Sequence, residues 1–263
     1  MIRYLRTTYL FWSTSIAAEM EYRANFVTSL LHSLMTLGGA ILTLKVFYQH
    51  DYQMGDWTWP QALAVVAFYT ILEGFQSMLL SPNRTRVTEH VREGTLDFVL
   101  LKPIDSQFWL STRMVSLWGL PNVILGLIIL CYAGGHADPP LGLGAYLRGI
   151  LPIALAMVVL YSVGFILGTL TIWFVKLYNI TIAMQALLEA GRFPISAYPL
   201  AYRIFFTFVL PVAFMTTVPA AAILGMRGWE YWLTGSAVVA IVLLAVSRWF
   251  WHFALRYYTS ASS

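Results

Sequence analysis

ALAVVAFYTILEGFQSMLL, Ala62 to Leu80, carries a single charge, Glu73, and runs straight into SPNRTRVTEHVREG, Ser81 to Gly94, where Arg84, Arg86, Glu89, Arg92 and Glu93 crowd together. About 20 apolar residues are what a helix needs to cross a bilayer. The junction at Leu80 therefore reads as the place where a span leaves lipid for water. Four further runs have the same character: Phe26 to Phe47, Val115 to Ala133, Ile150 to Phe174, and Gly235 to Phe250 with its lead-in from Trp229. Composition agrees. Of 263 residues 59% are apolar and 11% charged, with a mean hydropathy of +0.70, against roughly 25% charged in an average soluble domain. A water-soluble monomer is excluded, and the expectation is an all-α integral membrane protein.

Between Lys176 and Arg227 the pattern is apolar but interrupted, by Glu189, Gly191, Arg192 and Pro194, then Pro199 and Arg203, then Pro211 and Pro219. Prolines break helices, and broken backbone at membrane depth is tolerated only under protein or a water-filled cavity. The expectation is a fifth helix through Ile180 to Leu188, a re-entrant helical hairpin over residues 191–226, and six transmembrane helices in all. The basic residues test this count. With both termini in the cytoplasm, that side collects Arg3, Arg6, Arg23, Arg84, Arg86, Arg92, Lys102, Arg113, Lys176, Arg248 and Arg256, leaving only Lys45, Arg148, Arg192, Arg203 and Arg227 outside. A seventh span would reverse Arg248 and Arg256, against the positive-inside bias. Trp57, Trp59, Trp229, Tyr231 and Trp232 sit where outer-boundary anchors belong.

Residues 1–23 mix Arg3, Arg6, Glu19 and Glu21 with Tyr4, Leu5, Phe11 and Trp12, which fits an interfacial amphipathic helix. The net charge of +4 is distributed as topology requires, so no nucleic-acid partner is expected. Cys131 is the only cysteine and reads as an inert packing residue. His50, His90, His136 and His252 are scattered without metal-ligand spacing, and no metal is expected.

The cytoplasmic segment, residues 84–102, reads as a helical elbow: a charged helix ended by Gly94, a second short turn over Thr95 to Leu101 stopped by Pro103, then Asp105 or Ser106 capping a helix into the third span. Arg84, Arg86, Glu89, Arg92, Glu93 and Asp97 lie on it. Either a docking surface for a soluble partner or a solvated connector fits.

The stretch REGTLDFVLLKP, Arg92 to Pro103, resembles the loop between the second and third helices of ABC-2 family transporter permeases. FPISAYP (193–199) with VLPVAF (209–214) and VPA (218–220) is similar to the re-entrant region of the viologen-exporter-type branch, and FALRYYTSASS (253–263) to its cytoplasmic tail. The resemblance implies a single transmembrane domain over residues 1–263, the membrane subunit of an ABC exporter in the bacterial inner (plasma) membrane. It implies a dimer with a second copy or a related permease, and two cytoplasmic ABC ATPase subunits that bind ATP and Mg. The elbow would be the coupling helix. Consistent with this, no Gly-x-x-x-x-Gly-Lys-Ser/Thr phosphate loop is present, so no cofactor is expected in this chain and no enzyme activity of its own.

Ionisable groups inside spans are functional candidates. Glu73 is either a polar contact for a cationic substrate, a proton-coupled gate, or a hydrogen-bonded packing carboxyl. Glu189 is either part of the substrate pathway or the partner of Arg192 or Arg203, and His32 borders the same path. Lys45 reads as snorkelling to the interface. Gly164 and Gly168 form a small-residue pair for close helix packing. Pro211 and Pro219 are assigned a gating or sealing role. A polytopic membrane enzyme would need converging nucleophile or acid-base groups, and none is spaced so. An ion-coupled secondary transporter would need midplane ion sites and usually an inverted repeat, and no repeat is visible.

Overall fold

The computed structural model describes residues 2–21, 23–50, 54–174 and 180–258. Lys176, Asp51 and the C-terminal tail beyond 258 lie outside them. The described chain is mostly helical, with no strand among the described residues.

Five helices are long and apolar enough to cross a membrane: Ala24–Gln49, Trp59–Arg92, Leu117–Gly135, Leu143–Ile172 and Trp229–Leu255. They coincide with the five apolar runs. In chain order the α-helices are α1 (Ile2–Glu19), α2 (Arg23–Gln49), α3 (Trp59–Phe75), α4 (Ser81–Arg92), α5 (Leu96–Leu100), α6 (Ser106–Thr112), α7 (Leu120–Gly135), α8 (Leu143–Thr169), α9 (Ile180–Glu189), α10 (Leu200–Ile204), α11 (Thr217–Leu224) and α12 (Trp229–Leu255). The described part of the expected fifth span is α9, 10 residues, about 15 Å of helix at 1.5 Å per residue.

The hub is α3. Ala62 to Leu72 are buried on every side, as a helix apolar all round must be. Its closest neighbour is α7, and glycines set the distance: a Cβ on Gly119 would fall 2.3 Å from the Gly74 carbonyl oxygen, and one on Gly126 would fall 2.6 Å from Ile71 and 3.0 Å from the Ala67 carbonyl. The sequence pair Gly164 and Gly168 does something else. Both face Arg84, where added methyls would lie 3.7 and 3.4 Å from its side chain, in ordinary contact. By contrast α2 and α12 are rim helices, with 22% of their apolar windows buried against 72% for α3.

The α3 helix does not stop at the elbow. A π-helical turn, Gln76–Leu80, carries it into α4 without a break. The cause is Pro82, which has no N–H to give to the Met78 carbonyl. The Ser81 N–H steps back to Gln76, and the freed Met78 carbonyl accepts instead from the Ser116 N–H at 2.8 Å. Gly94 ends the elbow helix at φ +68°, and Asp105 caps α6 by accepting from the Phe108 N–H at 2.8 Å. That capped helix does not lead into the third span as expected. It ends at Thr112, and the chain runs non-helically to Ser116 before re-entering a helix. Asn83 bridges this gap, donating to the Leu79 and Met114 carbonyls at 2.6 and 2.7 Å and accepting from the Met114 N–H at 2.9 Å.

The proline-rich region forms two short limbs. The α10 helix and a π-helical turn, Phe205–Val209, make the first, residues 210–216 are unwound, and α11 makes the second. Pro211 lies in the unwound stretch, whereas Pro219 sits in the first turn of α11. There its missing N–H would have had no intrahelical partner, so Pro219 marks no break. Two other expectations change. Trp57 is a core residue at 7% exposure rather than an interface anchor, and Cys131 is exposed rather than packed.

Candidate functional sites in the bundle and the elbow

At the edge of the bundle, α3 and the end of α9 bring four polar side chains together. Tyr69 donates to Glu189 Oε1 at 3.0 Å and accepts from Arg192 Nη2 at 3.1 Å, and Arg192 closes the triangle on Glu189. The Arg192 guanidinium also covers the Tyr69 ring at 5.0 Å. Glu189 thus takes Arg192, while Arg203 donates to the Ser196 carbonyl at 2.9 Å. Glu73, one turn along α3, stands beside this triangle without a hydrogen bond among the described residues. Its ionisable neighbours are Glu189, Arg192 and His32. His32 is exposed on α2. The structure therefore sets Glu73 and Glu189 together with Tyr69 and Arg192, while His32 makes no hydrogen bond or ion pair to them among the described residues. Tyr69 was readable as the residue four before Glu73, one turn away on the same face.

The elbow is a small packed unit. Val87, Leu96, Val99 and Leu110 close a core with Phe165 and Trp251, and the Trp251 indole donates to Ser106 Oγ at 3.0 Å. The α1 helix is fixed across it by aromatic contacts: Tyr4 on Phe108, Phe11 on Trp109, and Arg113 over the Phe11 ring at 4.6 Å. Lys102 covers Trp109 at 4.9 Å.

Of the expected elbow charges, Arg86, Arg92 and Glu93 are exposed and Glu89 and Asp97 half-buried, with Arg86 paired to Glu89 at 3.3 Å. Arg84 is different: it is 6% exposed and turned into the bundle, so it presents no charge at that surface. In its place the surface carries two large apolar side chains, Phe98 at 68% and Leu101 at 81% exposure. Their amphipathic position was hidden in a continuous apolar run.

Behind the elbow, α12 is fastened by an ion pair. Arg248 Nη1 donates to Asp105 Oδ1 at 2.8 Å and Arg248 Nη2 to Asp105 Oδ2. This hydrogen-bonded guanidinium holds the Asp105 carboxyl below the usual carboxylate range. Among the described residues no three His, Cys, Asp or Glu side chains converge as a metal site would require.

Residues 34–262 match the family described as ABC-2 family transporter protein. No curated protein matches the chain.

Proposed function

The chain therefore belongs to the ABC-2 family transporter proteins, membrane-spanning subunits of ABC transporters, and we propose that it is the permease of an ATP-driven exporter. It moves a hydrophobic or cationic small molecule, or a lipid-like one, outward. ATP and Mg are handled by a separate ATPase subunit. The functional unit pairs two permeases, a second copy or a related chain, in the bacterial plasma membrane with both termini cytoplasmic.

The observation that carries the coupling role is the exposed surface of α5. Phe98 and Leu101, the residue after α5, are exposed within nine residues of the exposed Arg92 and Glu93, a mixture of apolar anchors and charge that suits a docking patch. Truncating both anchors, Phe98→Ala with Leu101→Ala, should weaken ATPase retention by about 100-fold, the range of a two-residue hot spot. Charge reversal at Arg86 or Glu93 should uncouple hydrolysis from transport. Arg84→Glu would instead report on the interior. An ATPase that copurifies undiminished with the double variant, and transports normally, would leave the elbow a connector.

Glu73 is the candidate contact for a cationic substrate. Glu73→Gln keeps shape and removes charge, so transport of a cation should fall while assembly and basal ATP hydrolysis persist. The carboxyl and tyrosine cluster around Tyr69 also favours one second reading, ion-coupled secondary transport. In that case proteoliposomes without ATP would transport, and a protonophore would stop them.

A further inference from the structure

Arg192 holds a place that a ligand cation would suit. Its Nη2 is shared between the Tyr69 hydroxyl and Glu189 Oε1, and its guanidinium covers the Tyr69 ring at 5.0 Å. Glu73 brings a second carboxyl to the same place. Carboxylates beside an aromatic face receive organic cations well, because Coulomb attraction adds to that of the ring quadrupole. Here a cation already lies on that face, and the chain itself supplies it.

The fit is incomplete. The Arg192 Nε is buried without a hydrogen-bond acceptor among the described residues, and Glu73 makes no hydrogen bond among them. Two carboxyls therefore share one guanidinium, and one negative charge is left over. The arrangement is also open, with the Glu189 side chain 48% exposed and that of Arg192 20%. A half-exposed ion pair is screened and weak, so a cation arriving at Glu189 can take the place of Arg192. Leaving disturbs little else. Arg192 lies between α9 and α10, and that segment has bonds of its own: Tyr198 donates to the Ala190 carbonyl at 3.0 Å, the Ile195 N–H to Thr217 Oγ1 at 3.1 Å, and Ser196 to the Met54 carbonyl at 3.2 Å. None of these three passes through the Arg192 side chain.

We propose that Arg192 is a tethered competitor for the substrate cation, which yields Glu189 and the Tyr69 face to one positive charge and rejects a second. A monocation balances the surplus carboxylate. A dication would leave an unbalanced positive charge beside the displaced guanidinium, and an unpaired charge taken out of water is costly. The proposal rests on the reading of Glu73 as the contact for a cationic substrate, and adds the charge number of that substrate and the residue that sets it.

The test uses the full chain in detergent at about pH 8, above the ordinary imidazole range, with equilibrium binding of tetraphenylphosphonium and of a bis(triphenylphosphonium) dication. Wild type should bind the monocation and prefer it, and Glu73→Gln should weaken it. Arg192→Gln removes both the competitor and its charge. The monocation should then bind about tenfold more tightly, the equivalent of about one charge-assisted hydrogen bond, and the preference should turn to the dication. Arg192→Lys keeps the charge without the planar fork, so the monocation should tighten by a smaller factor and remain preferred. If Arg192→Gln fails to fold, Arg192→Lys decides by that tightening. Should wild type bind neither cation, or Glu73→Gln bind as wild type does, the cationic-substrate reading falls and this proposal with it. Should both hold while the folded Arg192 variants bind the monocation no more tightly than wild type, or Arg192→Gln keep the wild-type preference, Arg192 is a strut and this proposal alone is overturned.

Discussion

Two prolines follow π-helical turns at the same spacing, Pro82 after Gln76–Leu80 and Pro211 after Phe205–Val209, and the helix survives the first but not the second. In both, the N–H two residues past the fourth turn position steps back five residues, Ser81 to Gln76 and Leu210 to Phe205. What differs is who satisfies the backbone. At Pro82 a distant segment does so: Ser116 takes the freed carbonyl, and Asn83 ties Leu79 to Met114. Ser81 stays helical at φ −62°, ψ −51°, against the usual restriction before proline. At Pro211 the hairpin satisfies itself, with Ala213 donating to Phe206 at 3.1 Å, and Leu210 is pushed to the extended region at φ −111°, ψ 111°. A proline sets a weak point, and long-range hydrogen bonds decide whether it becomes a joint.

The largest test removes the splint. Asn83→Ala deletes three hydrogen bonds to buried backbone, at about 1 kcal/mol each, so thermal unfolding in detergent should show a loss of about 3 kcal/mol. Amide exchange over residues 76–92 should rise with it. Protection that stays unchanged would mean that Asn83 is not what keeps the helix straight.

Pro211→Ala approaches the comparison from the other side. Stability should move by about 1 kcal/mol or less, while exchange over residues 205–216 slows as the first limb extends. An unwound stretch that persists would assign the joint to the surrounding packing instead.

The smallest effect belongs to the ion pair that fastens α12 behind the elbow. Asp105→Asn should cost about 1 kcal/mol or less, because Arg248 is half in solvent and such pairs are screened. The sign with pH is fixed by the lowered Asp105 pKa: its contribution is complete above the ordinary carboxylate value of about 4 and is lost as pH falls through the lowered one. Wild type should thus lose this increment on acidification, and Asp105→Asn should not.

Much of this was legible in the sequence, for reasons that particular residues make clear. The five long helices follow from apolar runs, and the Asp105 cap, the Gly94 stop and the Glu189–Arg192 pair follow from local chemistry. Facing directions beyond Gln76 were not legible. A π-turn inserts a residue and rotates everything after it by about 100°, which sends Arg84 inward and leaves no trace in a periodicity count. Phe98 and Leu101 were hidden for a related reason, since a five-residue helix is too short to establish a period. Of the glycines that set the tightest crossing, Gly119 and Gly126 share the span Leu117–Gly135 but stand seven residues apart, and Gly74 lies on the facing helix, so no Gly-x-x-x-Gly motif marks them. The Gly164 and Gly168 motif was visible but receives a side chain rather than a helix.

The continuous helix from Trp59 to Arg92 has 34 residues, about 50 Å of α-helical rise. At its far end the preceding turn meets the segment between α9 and α10, where Ser196 donates to the Met54 carbonyl at 3.2 Å. One stiff shaft therefore joins the elbow to that segment. If that helix moves as one body, a displacement at the elbow has to be taken up at Met54 and Ser196 as well.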